Sequence, residues 1–269
     1  MELIQLPDGR QVGTGLIVQE KKPVTCMNYE AAGKPMLTRQ QVIDWIQNPR
    51  RTPRRKRFGK DIIKNQNGIN ACNGYMAALL LEVARLLQGM PWVKLSGDQI
   101  YSAINDGMDQ GSALDRGMRW AMQNGISPEE LVPKHEWRKN RIPKEAWDAA
   151  PQYRADEYFS VDNEEQLYSG MASGYLLGYA IHVPRGGLPL DDKFWCKPTG
   201  GSGNHAVAGL DLTILNGKIG IPTANSWDIT FGDEGWFVGT WDGHIKHTIR
   251  YHETYLCPGA TWKQEDIAI

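Results

Sequence analysis

The chain runs to 269 residues, 41% of them hydrophobic and 23% charged, with 30 basic side chains against 31 acidic ones. This is ordinary globular usage, and a net charge of −1 predicts no overall attraction to nucleic acid or to an acidic membrane surface. No apolar run reaches about 18–20 residues, so no transmembrane helix is expected, and Met1-Glu2-Leu3-Ile4 lacks the basic and apolar regions of a signal peptide.

Residues 1–60 read as an N-terminal extension. Leu6-Pro7-Asp8-Gly9-Arg10-Gln11-Val12 is a turn flanked by apolar residues and predicts a small hairpin, and a helix is expected over 38–47. The basic run Arg50-Arg51-Thr52-Pro53-Arg54-Arg55-Lys56-Arg57 has three readings: a solvated linker, an electrostatic contact with phosphate or an acidic protein partner, and a processing site.

From 61 to 160 the helical period dominates. After the polar run Asn65 to Asn70, apolar residues recur at Tyr75, Met76, Leu79, Leu80, Val83, Leu86 and Leu87, and the period stops at Gly89 and Pro91. Cys72 therefore falls in the first turn, where unpaired backbone N–H groups and the positive end of the helix dipole favour an anion, so its pKa is expected to fall. A free cysteine taken alone is more often a small buried hydrophobe. Further helices are expected over 97–105 and 113–122, and 128–158, rich in charge, proline and tryptophan, reads as an irregular surface excursion. Between 161 and 269 the pattern turns to strands, over 174–183, 206–215, 218–222, 235–240 and 244–251, separated by glycine turns. A helical stretch followed by a β-rich one is the α+β pattern.

Two residues give Cys72 chemical company. His205 follows the glycine-rich loop 199–203 and opens a strand, where a neutral imidazole can face a cleft and serve a nucleophilic thiol. Asn225, ahead of Ser226 and Trp227, can accept the imidazole N–H and fix its tautomer, while the indole keeps water away. Other candidates carry less. Gly200-Gly201-Ser202-Gly203 is followed by a strand rather than a helix N-terminus, without the Lys-Ser/Thr of a phosphate loop. His244, His247 and His252 fall in an expected strand, where residues three apart face opposite sides, so they read as separate surface groups rather than metal ligands. No cofactor and no metal is expected.

The ordered motifs resemble those of the papain-like cysteine peptidases. His205 and Asn225 follow Cys72 by about 130 and 150 residues, the separations of cathepsin-type enzymes. Lys64-Asn65-Gln66 looks like the segment carrying that family's oxyanion glutamine, six residues ahead of the nucleophile. Leu95-Ser96-Gly97-Asp98-Gln99 is similar to its Leu-Ser-Glu-Gln stretch, Gly111-Ser112 falls where its paired glycines stand, and Gly125-Ile126 resembles its Tyr-Gly-Ile. Asn204-His205-Ala206-Val207 is similar to the histidine segment. Asn225-Ser226-Trp227 with Phe231-Gly232-Asp233-Glu234-Gly235-Trp236 resembles the asparagine segment. Departures are Asn73 in place of tryptophan, Ile69 in place of a disulfide-forming cysteine, Asp228 in place of glycine and Ser112 in place of the second paired glycine.

The resemblance implies a remote member, of bacterial or phage type, with a two-lobed papain-like fold: a helical lobe over 61–160 carrying the nucleophile and a β-rich lobe over 161–269 carrying His205 and Asn225. It implies hydrolysis of peptide or protein substrates through a Cys72 thioacyl intermediate, with the Gln66 side chain and the Cys72 N–H as oxyanion donors. Gly111 and Ser112 would pair with substrate backbone, Ala113 and Leu114 would line the adjoining pocket, and Asn204 and Trp227 would border the bound peptide. Residues 1–60 become a docking or occluding extension. With Cys72 set aside, Cys26, Cys196 and Cys257 are an odd number and argue against a full disulfide framework. That points to the cytoplasm, or to the virion for a phage-encoded chain. Two other readings stand beside this one: a papain-fold binding or assembly module with vestigial chemistry, and another Cys-His amidase or acyltransferase.

Overall fold

The computed structural model describes residues 3–18, 26–249 and 254–257. The expected hairpin forms from β1 (Ile4–Gln5) and β2 (Gln11–Val12), antiparallel, with Gly9 at positive φ in the turn. Thr38 starts helix α1 (Arg39–Gln47) with a capping box: its hydroxyl accepts the Gln41 N–H and the Gln41 side chain accepts the Thr38 N–H, satisfying two otherwise orphaned donors. The basic run supplies helix α2 (Arg54–Phe58).

Helix α3 (Cys72–Leu87) is buried on every side from Cys72 to Ala84. A helix apolar all round has to be enclosed. It lies against α4 (Gly97–Ile104) and α5 (Leu114–Gln123) on one flank, and on the other against β5 (Leu176–Ile181) and β6 (His205–Gly209). Alternation along β5 sorts its side chains between two cores: Leu176 and Ala180 join the α3 core, and Leu177, Tyr179 and Ile181 join a second core beyond the sheet.

The sheet runs in the order β3 (Met27–Asn28), β4 (Phe159–Ser160), β10 (Thr254–Cys257), β5, β6, β8 (Lys218–Ala224), β7 (Thr213–Leu215), with β9 (Trp236–Gly239) also paired to β8. All pairs are antiparallel except β3 with β4. Helices on one part of the chain and an antiparallel sheet on the other make the fold α+β, as expected.

Several elements differ from expectation. The excursion 128–158 contains α6 (Lys144–Ala149) and short 3-10 turns around a small cluster of Val132, Ile142 and Ala146. Helix α7 (Glu164–Ala172), capped by Asn163, was not expected and packs against α1. The run 206–215 divides after Gly209, where the Asp211 carboxylate turns to Arg51 and to the Arg54 N–H. Of the strand expected over 244–251, the described part is instead a π-helical turn, Trp241–Ile245, followed by α8 (Lys246–Thr248), and 250 and 251 lie outside the described residues. Thr240 caps that turn by accepting the Gly243 N–H, and the buried Ile245 and Thr248 are three apart, a helical and not an extended spacing. His244 is accordingly buried, with Nδ1 accepting the Thr240 N–H and Nε2 on the Lys197 carbonyl, while His247 is exposed and His252 lies outside the described residues. No cluster of three potential metal ligands occurs among the described residues.

Candidate active site

Cys72 is the first residue of α3, and the preceding Ala71 offers no side-chain cap. The first-turn N–H groups are therefore left for an anion at or near the sulfur. Sγ accepts a hydrogen bond from the Gly15 N–H at 3.3 Å. Pairing of β5 with β6 in full register fixes His205 opposite Ile181 at the strand start.

The other three groups form a continuous chain of hydrogen bonds. His205 Nε2 donates to Asn225 Oδ1 at 2.8 Å, and that oxygen also accepts the Ser226 N–H at 2.8 Å, which fixes it as an acceptor and the ring as the Nε2–H tautomer. The Trp227 ring stacks on the imidazole, 4.3 Å between centroids and 25° between planes, and is itself only 1% exposed. Ser226 Oγ donates to Gln66 Oε1 at 2.5 Å, and the Gln66 N–H donates to the Ser226 carbonyl. This holds the carboxamide with Nε2 outward, where it donates to the Ile69 carbonyl at 2.8 Å and the Gly13 carbonyl at 3.0 Å. Ser226 was not singled out in the sequence, although it stands between two residues that were.

A strap from the extension occupies the cleft. Residues 13–16 are buried across it: Gly13 is on Gln66 and Gly15 is on Cys72. The Ser112 N–H donates to the Gly15 carbonyl (2.8 Å), Ile17 donates to the Ser112 carbonyl (3.1 Å), and Leu16 donates to the Asn204 carbonyl (3.1 Å). Gly13 and Gly15 permit this approach, because a Cβ at either would run into the backbone of Ile69 or Asn70.

Ser112 and Asn204 thus pair their backbone with the strap, while backbone pairing was expected of Gly111 and Ser112. The Asn204 side chain is spent on Val183. Gly111, at positive φ, gives its N–H to Tyr101 Oη. Leu114 is fully buried in the core cluster that also takes in Leu16, Ala113 is half-buried, and Trp227 covers His205.

Burial under the strap changes the electrostatics. Desolvation pushes the Cys72 thiol up to about 11 despite the lowering effect of nearby backbone N–H groups, the opposite of the fall expected from the helix terminus alone. Desolvation likewise takes His205 down to about 4, against the raising effect of Asn225. The two are neutral, and His205 Nδ1 is buried with no hydrogen-bond partner. Among the described residues no hydrogen bond joins the Cys72 thiol to the His205 ring, and the two are not an ion pair.

Many solved structures are similar to the chain. Xylellain, a cysteine protease from Xylella fastidiosa, aligns with a TM-score of 0.66 at 15% identity, over 97% of this chain and 98% of that one. The chain has the papain-like fold. Recombinant stem bromelain precursor aligns at 0.61 and 18% identity, over 91% of this chain and 79% of that one. The bromelain protease from Ananas comosus in complex with the E64 inhibitor aligns at 0.51 and 21%, over 73% of this chain and 92% of that one. No family model and no curated sequence matches the chain. Of the positions named from sequence, Gln66, His205 and Asn225 lie on one hydrogen-bonded chain through Ser226, and Gln66 and Cys72 both bond to the strap, at Gly13 and Gly15.

Proposed function

We propose that the protein is a cysteine peptidase held latent by its own residues 13–17. The observation that carries this reading is the convergence of Gln66, Cys72, His205 and Asn225 on a groove whose edges, Ser112 and Asn204, are already paired with an extended polypeptide. That occupant survives because of what it presents. Gly15 turns an N–H, not a carbonyl carbon, toward Sγ, so the thiol has no electrophile. The wider match to the bromelain precursor than to the bromelain–inhibitor complex, 91% against 73% of this chain, also fits a chain with its own covering segment.

With the strap displaced, water and substrate reach His205, which takes the Cys72 proton through Nδ1 while Nε2 stays on Asn225. The thiolate forms an S–C bond to a peptide carbonyl, and the π electrons move to oxygen, where Gln66 Nε2 and the Cys72 N–H meet the charge. His205 returns the proton to the leaving nitrogen as the C–N bond breaks, then activates the water that releases the acid and restores the thiol.

The test combines a thiol-directed epoxide with a diverse peptide mixture. Wild type is expected to be labelled at Cys72 and to cleave peptides once the strap is displaced, His205→Ala to lose both, and Cys72→Ala to cleave nothing. Silence of wild type with an opened strap favours the binding-module reading, and products from peptidoglycan but not peptides favour the amidase one.

A further inference from the structure

Asn73 sits directly after the nucleophile, fully buried, in a slot bounded by three elements. Its Nδ2 donates to Ser112 Oγ at 2.9 Å and to the Ala113 carbonyl at 2.7 Å. Its Oδ1 is buried without a partner against Gly117 of α5, where even an added Cβ would collide with it. Ser112 is likewise fully buried, and its backbone makes two of the strap's hydrogen bonds. These two positions are also two of the chain's departures from the papain-like motifs, and here the two side chains touch. A glycine at 112 would give Asn73 no hydroxyl, and an indole at 73 would find no room beside Gly117.

We propose that Asn73 is a positioning residue that ties the peptide-pairing edge at Ser112 to the first turn of the nucleophile helix, so that one carboxamide sets where an extended peptide lies relative to Sγ. The proposal deepens the reading of the cleft as peptide-binding and rests on it. One bond fixes the hydroxyl of the edge and the other fixes the carbonyl of the next residue. Ser112 therefore cannot shift along the groove without breaking one of them. The strap is the peptide that this edge currently holds.

The experiment measures iodoacetamide alkylation of Cys72 in the full chain, read by peptide mass mapping. Wild type, Asn73→Ala, Ser112→Ala and the double variant are compared, with Ile142→Ala, in a distant small cluster, as a control for lost stability. Asn73→Asp keeps the shape but turns an acceptor toward the Ala113 carbonyl, and serves if the alanine variant folds poorly. Ser112→Ala is expected to speed labelling about fivefold, the effect of one lost buried hydrogen bond, and Asn73→Ala at least as much, since it also loses the bond to the Ala113 carbonyl. The double variant is expected to be no faster than the faster single, because both remove one contact. Ile142→Ala should stay at the wild-type rate, and Cys26, Cys196 and Cys257 unlabelled in all. Wild-type rates in the single variants, multiplying effects in the double, or equal acceleration by Ile142→Ala would each overturn the proposal. The readout needs no turnover, so a chain that cleaves no peptide sinks the proposed function without deciding this one.

Discussion

His205 carries its stability effect through a proton it does not bind. Burial holds it near 4 against about 6.5 in an unfolded chain. Above pH 6.5 both states are neutral and nothing is lost; as pH falls through the interval to 4, only the unfolded chain gains a proton, and stability drops. At pH 4.5 the loss is about 2–3 kcal/mol. Asp98 has the opposite sign: burial raises it to about 6, despite donors from the His135 N–H and Tyr75 Oη, so its contribution is present at low pH and fades as pH rises through 6. His205→Gln separates the two. Urea midpoints at pH 7.5 and 4.5 should show wild type losing about 2–3 kcal/mol more than the variant, and equal losses would contradict a buried neutral imidazole. Gln66→Ala, by the loss of one oxyanion donor, should lower kcat of the opened enzyme about 10²–10³-fold, checked by steady-state kinetics alongside the urea midpoint. That Gln66, His205 and Asn225, which meet through Ser226, belong together was legible in the sequence because the motifs that carry them keep a fixed order and spacing. The sign of the thiol pKa was not: the helix dipole is local and visible in sequence, whereas the strap that dries the sulfur comes from 57 positions away.

Among elements, the segment bearing Gln66 is fastened at both ends. On one side Asn65 bridges to Trp227 and Gln66 to Ser226; on the other the buried Lys64 ammonium reaches Glu82 of α3 at 2.6 Å and the Leu95 carbonyl at 2.8 Å. Glu82 completes its set by accepting the Leu95 N–H. Lys64 also meets Glu129 at 3.3 Å, but that carboxylate is 38% exposed, so removing either charge of the pair leaves the other without a buried counter-charge. Glu82→Leu or Lys64→Met should each lower unfolding free energy by about 3–5 kcal/mol, while the double apolar variant should recover much of that; urea denaturation of the three decides it, and a double variant worse than both singles would refute it. Helices α1, α3, α4 and α5 could be read from sequence because their period and stops are local. The stretch from 244 onward reads as strand because Ile245, Thr248 and Ile249 are β-branched, and β10 is not legible because its place between β4 and β5 is decided by partners about 75 to 97 residues earlier.

At the scale of the whole chain, the extension is secured on both sides of the strap. Before it, the hairpin contributes Ile4, Leu6 and Val12 to the second core; after it, β3 pairs with β4 and α1 packs on α7. The basic run works inward: Arg51 and the Arg54 N–H meet Asp211, and Arg55 meets Asp233 and Glu234, which leaves Arg50, Lys56 and Arg57 facing solvent. A strap anchored at both ends closes the cleft at a high effective concentration, and independently of protein concentration. Its weak point is steric. A methyl group at residue 15 meets the Asn70 carbonyl, so Gly15→Ala has to lift the strap from Cys72 while both anchors hold. Alkylation of Cys72 is then expected to rise at least about tenfold, the equivalent of about 1.4 kcal/mol in the opening equilibrium, with a urea midpoint within about 1 kcal/mol of wild type because no core contact is removed. Peptide turnover should rise in step, since the same opening admits substrate. Unchanged alkylation in a folded Gly15→Ala protein would mean that the cleft opens by another route and that the strap does not control access to the sulfur.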